Sequence, residues 1–210
     1  ARAGRNLTVT TLRRIAAVAT GALLFDACGS DTTSKTLSGY ELDPAPSVGA
    51  LSLPEAPNGD ADFTFKAADG RLLIVYFGYT SCPDVCPTTL AEVKKAFKQL
   101  GDAADKVDVA MATIDPNRDT GEIITGYVQS FIPGAHALRS DDPAQLESVA
   151  AAFGASYSVT TAADGQIDVS HSAGMYVVDP SGTVVLTWPF GIPADGIATD
   201  LEILFDRSAK

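Results

Sequence analysis

An α/β fold with a partly parallel sheet is the class this sequence predicts, on three observations. The apolar runs at 72–77 and 107–114 are short and continuous, as strands buried on both faces are. Amphipathic, capped segments at about 87–100, 120–130 and 143–153 alternate with them. The first apolar run ends in a cysteine pair, Cys82 and Cys86, that opens the first of those helices.

Residues 1–28 read as an export signal. Arg2, Arg5, Arg13 and Arg14 form a basic start, Ile15 to Phe25 is an apolar core of 11 residues, and Asp26, Ala27 and Cys28 follow. That order and length suit a secretory leader better than a membrane anchor. A cysteine after a small residue at this point resembles a bacterial lipoprotein site, so Cys28 is the expected lipidation residue. Residues 29–47 are rich in Ser, Thr, Asp and Pro and read as a flexible tether to a membrane surface. The folded domain is expected over 48–210.

Within that domain, Phe63 and Phe65 alternate like a strand, and residues 68–70 are a turn. The strand at 72–77 leads to a helix ended by Gly101. Its apolar face is expected to carry Leu90, Val93, Phe97 and Leu100, with Lys94, Lys95 and Lys98 turned away. After the strand at 107–114, Asp119 and Glu122 suit a capping pair for the next helix. Residues 136–138 suit a short edge strand. Asp142 and Pro143 open a helix stopped by Gly154. Residues 168–178 and 183–188 form a hairpin around a turn at 179–182, with His171 at its start, and a helix over about 194–205 closes the domain.

The chain carries 26 acidic against 15 basic residues, a net charge of −11 over 210 residues. Nucleic acid is excluded as an expected partner, since phosphate binding needs a basic face. The export reading places the domain where disulfides persist. With Cys28 lipidated, Cys82 and Cys86 pair only with each other.

A strand that ends in a cysteine pair and turns into a helix is how a thioredoxin-like fold presents sulfur. The spacing is Cys-x3-Cys, which puts both sulfurs on one side of a helix start, about 6 Å apart at Cα. That distance permits a disulfide and equally permits two thiolates to converge on one metal ion. The helix N-terminus favours thiolate. Pro83 and Pro87 suit turn and first-turn positions, where no N–H is needed. In a thioredoxin-like fold the segment holding His171 lies against this turn. Two thiolates and an imidazole are a soft donor set, suited to Cu(I) and able to hold Cu(II). Zinc is the rival ion, since two cysteines, a histidine and water also make a zinc set. The same thiols without a metal suit a thiol–disulfide oxidoreductase, with Cys82 attacking and Cys86 resolving. Thr80 with Cys82 also has a faint likeness to a peroxidatic turn. His136 has no partner nearby in sequence and reads as a structural residue.

Residues 76–89 (Tyr-Phe-Gly-Tyr-Thr-Ser-Cys-Pro-Asp-Val-Cys-Pro-Thr-Thr), 114–120 (Ile-Asp-Pro-Asn-Arg-Asp-Thr) and the stretch from His171 to Gly182 resemble the Sco/SenC proteins, copper-binding assembly factors of cytochrome c oxidase. The resemblance covers about residues 60–205. It implies a thioredoxin-like fold with a mixed central sheet flanked by helices, and copper held by Cys82, Cys86 and His171. It implies delivery of copper to the binuclear copper centre of oxidase subunit II, or reduction of that centre's cysteines. The expected location is the bacterial cell envelope, with the domain on the extracytoplasmic side of a membrane. Asp115 and Asp119 match the family's Asp-Pro-x-Arg-Asp segment and are expected as an acidic rim and a helix cap. Two departures stand out: the segment from Phe63 to Arg71 is shorter than the family's hairpin insertion, and Ser170 stands where an acidic residue often precedes the histidine. Asp168 is the expected substitute.

Overall fold

A computed structural model describes residues 36–56 and 61–208, besides Ala1 and Gly4. The rest of the expected leader, Cys28 and the first residues of the expected tether lie outside the described residues. Among the described residues nine strands and four α-helices follow in chain order: β1 (Ser52–Glu55), β2 (Ala61–Thr64), β3 (Leu72–Gly78), α1 (Val85–Leu100), β4 (Val107–Thr113), α2 (Gly121–Phe131), β5 (His136–Leu138), α3 (Pro143–Ala152), β6 (Tyr157–Thr161), β7 (Ile167–His171), β8 (Met175–Val178), β9 (Val184–Trp188) and α4 (Ala194–Ser208).

The main sheet has the order β2-β1-β5-β4-β3-β8-β9, and β6 with β7 forms a separate hairpin. β3 pairs in parallel with β4, and β4 with β5; every other neighbour in the main sheet is antiparallel. This is the mixed sheet of a thioredoxin-like fold. β3 is buried along its whole length, which is why its sequence is continuously apolar and does not alternate. Strand alternation sends Leu72, Ile74 and Tyr76 to one face and Leu73, Val75 and Phe77 to the other. The first set packs with residues of α1, α2 and α4. The second packs with α3 and with Phe65, Phe153 and Tyr176. Tyr76 thereby points at α1, the helix that carries Cys86.

Four expectations change in detail. Phe97 is only half-buried, and Ala96 takes its place on the inner face of α1. β5 is an inner strand between β4 and β1, so His136 is not on an edge. Its Nδ1 lies 2.5 Å from Glu55 Oε1, and its ring centre is 4.6 Å from that of Phe63. His171 ends β7, within a hairpin the sequence reading did not separate from β8. Finally, residues 36–47, read as tether, lie along β9 through bridges at Tyr40–Thr187 and Ser47–Thr183. The fully buried Asp200 of α4 fixes their start. It accepts from Ser38 N, Gly39 N and Trp188 Nε1, each at 2.8 Å. A buried carboxylate is tolerable only when its lone pairs are filled in this way.

Candidate metal centre

The centre begins with a helix lacking its usual cap. Asp84 occupies the N-cap position of α1, but its side chain caps no backbone amide. It bonds Thr88 Oγ1 at 3.2 Å instead. The free N–H of Cys86 donates to Cys82 Sγ at 3.3 Å. A cysteine sulfur therefore takes the capping role, and both sulfurs sit where the helix dipole favours negative charge. From the sheet below, the Tyr76 hydroxyl donates to Cys86 Sγ at 3.2 Å. Both thiols are free and buried.

The imidazole arrives from the other side. His171 Nε2 lies 4.0 Å from Cys86 Sγ. Nδ1 is 3.1 Å from the carbonyl oxygen of Ser172. A carbonyl only accepts, so the proton sits on Nδ1 and the Nε2 lone pair faces the sulfurs. An outer partner of this kind is what orients a ligating imidazole. The expected partner was Asp168; that carboxylate sits instead at the Thr160 position of the hairpin, three residues back, and the backbone does the orienting. The Tyr79 and Tyr76 rings meet the imidazole edge-on, with centres at 5.9 and 6.3 Å. Cys82, Cys86 and His171 place their three ligand atoms within 4.8 Å of one another, the single such grouping among the described residues.

The thiols are unequal. Burial pushes the Cys86 thiol up to about 12, so it holds its proton in the metal-free protein. Burial also pushes Cys82 up, but hydrogen bonds outweigh it, the Cys86 backbone N–H foremost, and its value ends below the ordinary one. Burial lowers His171, which is therefore neutral near pH 7. The arrangement offers one readily ionised thiol, one buried thiol and a neutral nitrogen. Only a cation brings the buried sulfur to its thiolate form without leaving an uncompensated charge.

Two residues read as rim and cap are interior instead. Thr120 caps α2 and accepts from Ile123 N. Asp119 is fully buried. It accepts from Thr80 N at 3.0 Å and Thr113 Oγ1 at 2.6 Å, and also from Thr80 Oγ1. It thus ties the loop before Cys82 to the end of β4. Asp115 is buried and pairs with Arg118, whose guanidinium lies 5.9 Å above the centre of the Tyr79 ring.

Tyr76 and Gly78 are site residues that sequence reading passed over. A Cβ on Gly78 would fall 2.6 Å from Tyr76 Cε1 and 3.1 Å from Cys86 Sγ. The only sequence signal was a glycine closing a strand just before the cysteines. Gly78→Ala is expected to cost about 1–3 kcal/mol through overpacking, read as a lower denaturant midpoint at unchanged slope.

Fold and site together define a thioredoxin-like protein whose thiol pair is joined by a histidine. The SCO1/SenC family model matches residues 57–206, and the chain belongs to that family. The apo Sco1 structure from Thermus thermophilus is 30% identical, with a TM-score of 0.71 over 82% of this chain and 99% of that one. The Bradyrhizobium japonicum ScoI structure, solved with copper bound, is 31% identical, with a TM-score of 0.62 over 73% of this chain and 96% of that one. A SCO2-like protein of Rickettsia prowazekii is 33% identical over 129 residues, 60% of this chain and 61% of that protein.

Proposed function

We propose that this protein binds one copper ion through Cys82, Cys86 and His171 and passes it to the binuclear copper centre of cytochrome c oxidase subunit II. The observation that carries the reading is the convergence of two sulfurs and one nitrogen within 4.8 Å. Two sulfurs and one nitrogen are a soft, low-coordinate set that suits Cu(I), and the imidazole lets Cu(II) be held too. The copper-bound Bradyrhizobium relative supports the same ion. Three protein ligands leave a position for a ligand from the acceptor, so transfer needs no fully released ion. We place the protein in the bacterial cell envelope, held to a membrane by lipid on Cys28; the intact mass of the native protein tests that attachment. No described helix is long and apolar enough to cross a membrane.

The test is transfer. Copper-loaded protein mixed with the reduced, copper-free soluble domain of subunit II is expected to lose copper as the domain gains it. No movement in either direction would sink the chaperone reading.

Loading must displace the Cys86 proton, because that thiol ionises only near pH 12. Its folded value lies above the ordinary 9.0, so it binds its proton throughout the physiological range. Burial lowers His171, so its proton competes less than that of a free imidazole. Apparent copper affinity is therefore expected to rise by about tenfold or more per pH unit between about pH 6 and about pH 8. Chelator competition at several pH values reads this, and a flat profile would contradict it.

A second reading rests on the inequality of the thiols. Cys82, ionised more readily, attacks a client disulfide and releases one client thiolate. Cys86 then attacks the Cys82 sulfur and releases the second, leaving the pair oxidised and the client reduced by two electrons. Full activity in His171→Ala, with loss in either cysteine variant, would favour this chemistry over copper transfer.

A further inference from the structure

The β6–β7 hairpin leaves one edge bare beside the metal centre. Ser172 N donates to Ser156 O and Ala162 N to Gln166 O, both at 2.8 Å. With the register Ser158–Ser170 and Thr160–Asp168, the even-numbered residues of β6 bond toward β7. Tyr157, Val159 and Thr161 therefore turn their N–H and C=O groups the other way, and no strand among the described residues pairs there. Natural edges are blunted with charge or proline. The five residues of β6 contain neither, and Val159 at their centre is 37% exposed.

Along this edge runs a cleft of about 460 Å³. It is lined by the buried Leu146 and Ala150 of α3, by Tyr157 and Val159 of β6, and by Asn117 of the Asp115–Arg118 loop. Glu147 stands exposed at the rim, with no ion pair among the described residues. The cleft abuts the metal centre twice over: Tyr157 is registered opposite His171, and the loop at its end carries the Arg118 that covers Tyr79.

We propose that this is where the acceptor protein docks, an extended segment of it adding to β6 as a strand. Main-chain hydrogen bonds to residues 157, 159 and 161 supply affinity. An apolar side chain enters the cleft over Leu146 and Ala150, and a basic one meets Glu147. A segment seated there lies two strand spacings, about 10 Å, from the strand that carries His171, so the chain that follows it can bring the acceptor's metal-binding groups to the site. The inference rests on the copper-transfer reading, because that reading supplies the partner.

The experiment titrates isotope-labelled, reduced full-length chain with the soluble domain of oxidase subunit II and follows backbone amides. Expected are shifts and slowed hydrogen exchange at Tyr157, Val159 and Thr161, with shifts in α3. Val159→Pro, which removes an outward N–H, and Ala151→Trp, which fills the cleft from an exposed helix position, are each expected to weaken binding at least about tenfold. Copper retention by Cys82, Cys86 and His171 should not change in either. Shifts confined to the Cys82 turn, with both variants binding as wild type while copper still moves, would overturn the inference and leave the transfer reading standing. Neither binding nor transfer would end both. Shifts at β6 that grow with the chain's own concentration would overturn it in favour of a second copy on the edge.

Discussion

Cys86→Ser is expected to weaken copper binding by roughly 10²–10³-fold and to leave the fold intact; this is the largest effect the structure predicts. A structural metal bound by four ligands contributes about 10–16 kcal/mol, so one ligand's share is about 2.5–4 kcal/mol, or roughly 10²–10³-fold in affinity. Serine offers a hard oxygen that does not ionise near neutral pH. Its hydroxyl fits the buried position, and the Tyr76 hydroxyl, now 3.2 Å from sulfur, remains as a partner. The unfolding midpoint of the metal-free protein should therefore move little. Chelator competition and a denaturant curve on the same sample separate the two effects. Retained copper would show that Cys86 is not a ligand.

The second large effect belongs to a residue that touches no metal-binding atom. Asp119→Ala removes a fully buried carboxylate and takes away the acceptor of Thr80 N, Thr80 Oγ1 and the Thr113 hydroxyl, which keeps only the bond it accepts from Asp115 N. The expected cost is about 3–5 kcal/mol of stability, since each lost bond to a charged group is worth about 1.5–3 kcal/mol and the Thr113 hydroxyl left behind is fully buried. Loosening the loop that holds Tyr79 and Cys82 should also weaken copper binding by about 10–100-fold, as loss of an outer-shell support does. Unfolding of the metal-free protein and chelator competition check the two parts. Thr80→Val supplies the control: it removes the hydroxyl donor but spares the carboxylate and the Thr80 N–H, and should show a smaller loss of both kinds.

What the sequence displayed was chemistry close together in the chain. Cys82 and Cys86 lie in one turn at the end of an apolar strand, and strand, turn and helix each carry their own signal. His171 was legible as a ligand but not in its setting. β6 is largely exposed and rich in Ser and Thr, so no alternation announced a hairpin. Asp119 misled for a physical reason: Asp119 with Glu122 has the spacing of a cap, yet Thr120 caps α2, and the carboxylate turns inward to donors 6 and 39 positions away. The segment at 36–47 has the composition of a linker. Its order comes from Asp200, about 160 residues distant, and no local pattern encodes that contact. His136 looked like an edge residue because β5 is only three residues long; the strand that covers it, β1, comes from far earlier in the chain.

Everything above turns on whether Cys82, Cys86 and His171 act as one copper site. Its most direct test is copper retained by the reduced protein against a competing chelator, wild type beside His171→Ala. One copper per chain is expected in the wild type, and a loss of roughly 10²-fold or more in affinity in the variant. Equal retention by both proteins would contradict it, leaving a two-sulfur site with the imidazole a bystander.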